Sequence, residues 1–339
     1  MAEYYFNLPP ITQLTIDQQA ALNETNAIAL SGGPGTGKSV VSLWRHISNH
    51  QRGKKSQLLT YTTTLAKYLE MCSKSQNANA SNNVNSSLSW MSSPRSFQEI
   101  IVDEAQDLPS SYYEKLKNYS NIISYGADDA QILYPENSCT QSVLRNLFPN
   151  NKNYPLSRNF RSTQRIMQFA KTAFSEAYIP TSTIQGLANN QGDLPIMLIS
   201  GGSKFEVSNE NQDKAILDII NTFKADTHNI AILVPWKKQV DYFYEKVNSN
   251  HACTKYHEGM NGCKEISNLH ITTFKSAKGL EFDTVIIPNF DRMLENTPSQ
   301  FHLEWQDFYV AVTRARSNLY LITNNDMTFL NTVTDKQRL

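Results

Sequence analysis

The chain has 339 residues, 40% of them apolar, which is room for roughly two packed domains. Lysine plus arginine equal aspartate plus glutamate at 31 each, so no global basic field announces nucleic acid, although a local basic groove stays compatible with that balance. There is no apolar run long enough to span a bilayer, and Met1–Tyr5 opens no secretory leader, so the expectation is a cytoplasmic protein with no membrane association.

In chain order, the first apolar strand candidate is Ala27–Leu30. It runs into Ser31-Gly32-Gly33-Pro34-Gly35-Thr36-Gly37-Lys38-Ser39, which fits the phosphate-loop pattern G-x-x-x-x-G-K-[ST]. Val40–Trp44 then continues as a helix. Glycines at such a place let the backbone wrap a polyphosphate, and Gly35, Thr36 and Gly37 would offer N–H groups beside the helix N-terminus. Lys38 would reach the β- and γ-phosphates, and Ser39 would hold Mg²⁺. A glycine-rich turn with no ligand is the bland rival, and the strand–loop–helix context disfavours it.

A second strand is predicted over Gln57–Tyr61. Between Ser73 and Ser89 the chain runs SKSQNANASNNVNSSLS, which offers little apolar surface to offset ordering, so a flexible surface loop is expected there. The strand Glu99–Asp103 ends in an acidic pair. Asp103 would hold the metal's water shell and Glu104 would polarise an attacking water, as a Mg²⁺-dependent NTPase requires. Asn121–Gly126 is the next strand. The polar, proline-containing stretch 149–155 reads as a linker, giving domains 1–150 and 151–339. Strands Pro195–Ser200, Asn229–Pro235, Leu269–Phe274, Thr284–Pro288 and Asn318–Thr323 follow, with helices at Ser162–Ala177, Asn211–Phe223 and Lys237–Asn248. The alternation predicts an α/β fold with mostly parallel sheets. Of the four cysteines none forms a CxxC pair. His251, Cys253, His257 and Cys263 match no standard zinc spacing and read as part of a polar connector.

Seven segments in this order resemble the motifs of the UvrD/Rep-like superfamily 1 helicases, including their shorter HelD-like relatives. They are Leu14–Gln18, Leu58–Thr62, DEAQD at 103–107, Ala127–Gln131, Ser157–Ser162, Thr272–Phe282 and Tyr309–Ala315. The resemblance covers Leu14 to Leu321. It implies two RecA-like P-loop domains with an ATP cleft between them, ATP and Mg²⁺ as cofactors, and single-stranded DNA as partner, tracked 3′→5′. By the same resemblance Gln18 reads adenine, Gln131 senses the γ-phosphate, Phe160 stacks on the base and Glu281 meets the ribose. Arg161 reaches the γ-phosphate, Arg314 is an arginine finger, and Tyr61, Thr62 and Thr273 face the nucleic acid.

The departures from the family matter for function. About 35 residues separate Leu65 from Ile101, and about 110 separate Arg161 from Thr272, leaving no room for the family's large inserted subdomains. After Gln131 the run is Ile132-Leu133-Tyr134-Pro135-Glu136-Asn137, where the family places a base-stacking aromatic and an arginine; Trp90, Tyr61 and Trp236 are the candidate substitutes. Lys275 replaces the family's histidine and Ala127 its glycine. Two readings stay open: an ATP-driven translocase on a single strand, and an ATPase switch that moves a protein partner, such as a nuclease in bacterial antiphage systems. A phosphate-loop kinase or GTPase calls for no such set as Gln18, Arg161 and Arg314.

Overall fold

The computed structural model describes residues 4, 8–132, 135–202, 207–294 and 303–339. The chain divides into two compact units, Phe6–Phe160 and Met1–Tyr5 with Arg161–Leu339. The first unit holds strands β1 (Ile28–Ser31), β2 (Ser56–Thr60), β3 (Val84–Ser86), β4 (Glu99–Asp103), β5 (Ile123–Ala127) and β6 (Lys152–Pro155) in one sheet of order β3-β2-β4-β5-β1-β6. The second holds β7 (Ile196–Ile199), β8 (Ile230–Val234), β9 (Thr254–Tyr256), β10 (Leu269–Thr273), β11 (Phe282–Ile287), β12 (Ala315–Thr323) and β13 (Asp335–Arg338), ordered β13-β7-β12-β11-β8-β10-β9. Every pairing among the described strands is parallel. That matches the α/β expectation. Interior strands such as β4 and β8 are buried at every residue, as strands covered by helices on both faces must be.

Two expectations need correction. The polar stretch 73–89 is no open loop. It forms the short helix Ala78–Ser81, strand β3 and the start of the helix Ser87–Met91, with Ala80 and Val84 buried against Leu65 and Leu69 of the preceding helix. Its asparagines and serines serve as caps: Asn77 Oδ1 accepts from the Ala80 N–H at 2.9 Å. Likewise 149–155 is no linker. Lys152–Pro155 pairs with β1 as β6, so the boundary falls after Phe160 instead of at 150.

At the N-terminal end of β4 a charge is buried. Glu99 is fully enclosed and accepts from Arg45 Nε at 2.6 Å, Ser124 Oγ at 2.7 Å, Asn49 Nδ2 at 2.8 Å and Lys54 Nζ at 3.0 Å. Burial acts to raise its pKa, yet Arg45, Ser124 and Lys54 hold it below the usual carboxylate value. Arg45 also donates to the carbonyls of Glu24 and Asn26, both at 2.7 Å, where the first helix (Ile16–Asn23) ends. One pair thus pins β4, β5 and the helix Lys38–Gln51 together. Losing either partner leaves an uncompensated buried charge, which costs on the order of 3–5 kcal/mol.

His46, on the same helix, is buried and neutral: Nε2 donates to the Ala80 carbonyl at 2.9 Å, and Nδ1 lies 2.9 Å from Ser56 Oγ. Burial pulls its pKa from 6.5 down to about 4. Because the folded value lies below the unfolded one, this stability is complete above pH 6.5 and drains away as pH falls towards 4. The His46 contribution should shrink by roughly 2 kcal/mol between pH 7 and pH 5. His46→Asn, which cannot titrate, should be less stable at pH 7 but lose less on acidification; denaturant melts at the two pH values measure the difference.

Candidate functional site

Because the first sheet is wholly parallel, the C-terminal ends of its strands share one edge, where open α/β sheets bind ligands. Ser31 is level with Ala127 and Pro155, and Thr60 with Asp103. The phosphate loop, Tyr61 and Thr62, Asp103 and Glu104, Asp128 to Gln131, and 156–160 therefore gather along that edge.

The loop's shape is imposed by its carbonyls. Gly32, Gly35 and Gly37 have φ of 144°, 72° and 88°, which side-chain-bearing residues adopt only with strain. Lys38 Nζ donates to the carbonyls of Gly32 at 2.7 Å and Gly33 at 3.1 Å, and Asn159 Nδ2 to Pro34 at 2.9 Å. The Phe160 N–H donates to Gly35 at 2.8 Å, and Gln18 Nε2 to Thr36 at 3.0 Å. Every carbonyl from Gly32 to Thr36 is thus engaged, while the N–H groups of Gly33, Gly35, Thr36 and Gly37 donate to no acceptor among the described residues. Such a set of inward amides is an anion cradle at a helix N-terminus. Gln18 is placed otherwise than expected for an adenine reader: its oxygen accepts from the Thr15 N–H at 2.9 Å in a capping box, and its nitrogen holds the loop.

Next to the cradle stand the carboxylates. Asp103 is buried, and among the described residues no donor meets either of its oxygens at full hydrogen-bond geometry, the Ser39 hydroxyl and the Glu104 N–H being the donors beside it. Burial, with the Glu104 carboxylate beside it, pushes its pKa above the usual carboxylate value, against the pull of Ser39 and Lys38. An enclosed carboxylate beside a serine hydroxyl and the phosphate loop fits a divalent cation. Glu104 sits in the left-handed region at φ 54°, ψ 44°, a strain of about 1–2 kcal/mol for a non-glycine residue. Gln106 Nε2 donates to Glu104 Oε2 at 2.6 Å, and Gln106 Oε1 accepts from the Asp128 N–H at 3.1 Å. Gln131 Nε2 donates to Asp128 Oδ2 at 2.5 Å, and Lys38 Nζ lies 3.7 Å from that oxygen. Gln106, Asp128 and Asn159 lie inside the motifs and link these groups, a role that motif spacing alone does not assign.

The residues expected to face nucleic acid divide. Tyr61 is partly buried against the first core, and Thr62 Oγ1 caps the helix Thr63–Lys74 by accepting from Leu65 N. Trp90 is a core residue, 6% exposed and packed edge-on to Tyr119, so it presents no face for a base. Thr273 is equally enclosed, its Oγ 3.0 Å from both Glu258 Oε1 and Ser276 Oγ. Within the run after Gln131, Leu133 and Tyr134 lie outside the described residues; Glu136 is exposed.

Phe160 belongs to the first unit; its ring is 45% exposed, with the Arg158 guanidinium 5.0 Å from the ring centroid. In the second unit the expected residues lie at the N-terminal ends of β11 and β12. Arg161 Nε donates to Glu281 Oε2 at 2.9 Å, and Arg316 approaches Glu281 Oε1 at 3.6 Å. Burial acts to raise the Glu281 pKa, but Arg161, Arg316 and Arg314 hold it below the usual value. The Tyr4 hydroxyl donates to the Glu281 carbonyl. Arg314 is fully buried, donating to the carbonyls of Val310 at 3.0 Å and Leu280 at 3.3 Å and to Thr313 Oγ1 at 3.2 Å.

Comparison with known proteins finds helicase families along most of the chain. Residues 25–225 match the Schlafen group 3, DNA/RNA helicase domain family, and residues 254–326 match the UvrD-like helicase C-terminal domain. A protein of Acanthamoeba polyphaga mimivirus, named for ATP-dependent DNA helicase activity, is 27% identical over 260 residues, covering 69% of this chain and 36% of the relative. One of Mycoplasma pneumoniae, named as a DNA helicase, is 24% identical over 248 residues, covering 66% of this chain and 43% of the relative. The chain thus spans less than half of either relative. S. cerevisiae Dbp5, solved with RNA and ADP BeF3, shares the RecA-like fold, with a TM-score of 0.56 over 95% of this chain and 88% of that one at 11% identity.

The two adjacent loop glycines separate shape from composition. A Cβ on Gly32 would overlap the Leu156 carbonyl oxygen, whereas one on Gly33 meets nothing within 4 Å. Gly33→Ala should therefore leave nucleotide affinity within about twofold, and Gly32→Ala should lose at least about tenfold, an energy near 1.4 kcal/mol. Titration of a fluorescent ATP analogue into the two variants gives the comparison.

Proposed function

Because the chain belongs to the superfamily 1 helicases, with a Schlafen group 3 DNA/RNA helicase domain and a UvrD-like C-terminal domain, we propose that it is an ATP-hydrolysing motor that moves along single-stranded DNA. The observation that carries the reading is the buried Asp103 carboxylate beside a cradle whose N–H groups are unused among the described residues. In this reading the triphosphate lies on the amides of Gly33 to Gly37, with Lys38 on its β- and γ-oxygens. Ser39 and Asp103 would hold Mg²⁺, which would supply positive charge against the phosphate oxygens. Glu104, fixed by Gln106, orients and deprotonates the attacking water. Gln131 senses the terminal phosphoryl. Phe160, exposed beside the loop, offers a stacking face to the adenine, and Glu281 a carboxylate to the ribose.

Arg161 and Arg314 would neutralise charge on the transferring phosphoryl. Arg161 is held by Glu281, and Arg314 by Val310, Leu280 and Thr313, so each must exchange partners first. Hydrolysis is thereby tied to rearrangement within the second unit. Tyr61 and Thr62, at the tip of β2, are the strand contacts that remain once Trp90 and Thr273 are counted as core. The direction of movement, 3′→5′, follows the resemblance, and the cytoplasm is the proposed location. In the second reading, the same ATPase is a switch acting on a protein partner such as a nuclease; the burial of Trp90 and Thr273, which thins the strand contacts, is the observation on its side.

ATP turnover with and without single-stranded DNA at low salt distinguishes the two. Strong stimulation that Tyr61→Ala abolishes, with ATP binding intact, is the expected outcome. Turnover indifferent to DNA would remove translocation by this chain. Lys38→Ala and Glu104→Gln should each lower turnover by on the order of a hundredfold or more; full activity in Glu104→Gln would disprove its role as base.

A further inference from the structure

Two donors expected to meet the terminal phosphate converge on one carboxylate oxygen. Gln131 Nε2 donates to Asp128 Oδ2 at 2.5 Å, and the Lys38 ammonium lies 3.7 Å from the same atom. Lys38 and Asp128 are each 6% exposed at the side chain, so the pair is shielded from water. The other Asp128 oxygen, Oδ1, accepts from the Ala130 N–H at 3.1 Å and caps the turn Asp129–Gln131. Its N–H reaches Gln106, whose amide holds Glu104. One anionic oxygen thus has an amide donor at hydrogen-bond distance and, 3.7 Å away, an ammonium whose own bonds go to the Gly32 and Gly33 carbonyls; a phosphoryl oxygen requires donors of these two kinds.

We propose that Asp128 is a positioning residue: its Oδ2 stands in for a terminal phosphoryl oxygen, holding Lys38 and Gln131 in the nucleotide-free protein until a triphosphate displaces it. This rests on the reading of the loop as an ATP site. The carboxylate adds a second anionic neighbour, beside Asp103, to a buried ammonium whose hydrogen bonds go to the Gly32 and Gly33 carbonyls. It also competes with the incoming phosphate, because Lys38 must turn from Asp128 to the β- and γ-oxygens. ADP has no terminal phosphoryl to take over the contact with Gln131, so the competition weighs on ATP and ADP unequally. Through Gln106, departure of Lys38 and Gln131 is felt at Glu104, the water-activating carboxylate.

The consequence runs against what a merely structural residue would show. Asp128→Asn keeps the shape and the cap but removes the charge. It should bind ATP about three- to tenfold more tightly than the natural protein, because the internal competitor is gone. ADP affinity should change less, and kcat should fall as Gln131 and Glu104 lose their common anchor. Asp128→Ser, also a good cap without charge, is the second variant. Equilibrium titrations with Mg-ATP and Mg-ADP, together with turnover, read all three quantities. Unchanged or weaker ATP binding in folded Asp128→Asn and Asp128→Ser would overturn the proposal while leaving the ATP site intact. If the natural protein itself bound no ATP, the reading of the loop would fall, and this proposal with it.

Discussion

The phosphate loop has its shape because five consecutive carbonyls have donors. Left to itself, a stretch of four glycines, a proline and a threonine has a broad conformational choice and a large entropy to lose on ordering. Here the carbonyls of Gly32 to Thr36 are taken by Lys38, Asn159, the Phe160 N–H and Gln18. Turning each carbonyl towards the protein turns the neighbouring N–H groups towards the cradle, so the ligand meets an arrangement already paid for. The donors come from before the loop, from its own end, and from more than a hundred residues later. The cradle is thus a tertiary product, and the motif supplies only the residues able to accept it.

A second constraint sets what lies opposite the loop. Glu99 and Arg45 lock the N-terminal end of β4 to the helix that begins at Lys38. β4 is five residues long, so fixing Glu99 also fixes Asp103 at the other end, where it meets Ser39 and Lys38. A slip of one residue would turn Asp103 to the opposite face of the sheet. A hydrophobic pair could fill the same space at Glu99 and Arg45, but it would lack the bonds to Ser124, Asn49 and the carbonyls of Glu24 and Asn26 that define one register.

What the sequence made legible follows from burial. The nine interior strands among the described residues were each visible as a mostly apolar stretch, because a strand covered on both faces is enriched in apolar residues. The four missed strands, β3, β6, β9 and β13, are the four sheet edges. Their sequences, VNS, KNYP, TKY and DKQR, are short and polar, which blunts edge-to-edge association and hides them from any hydrophobic pattern. In the candidate site, motif spacing singles out the charged residues and does not give their partners. Residue type alone does not say whether Trp90 meets a base or Tyr119, or whether Gln18 reads adenine or braces Thr36. Both alternatives use the same surface of the same side chain, and only tertiary placement chooses between them.

The same ambiguity has a physical side. A charged group held in a poorly hydrated place needs a counter-group at all times, with or without ligand. Lys38 and Gln131 rest on Asp128, Arg161 rests on Glu281, and Arg314 rests on the carbonyls of Val310 and Leu280. Each internal partner offers oxygen, as a phosphate does. In the proposed cycle, binding and hydrolysis would proceed by exchanging one oxygen acceptor for another, which would keep the net energy of each step small while the gross interactions stay large. Small net steps suit a protein that must release its product as readily as it takes up its substrate, because an interaction equally strong in every state would hold the nucleotide without advancing the reaction.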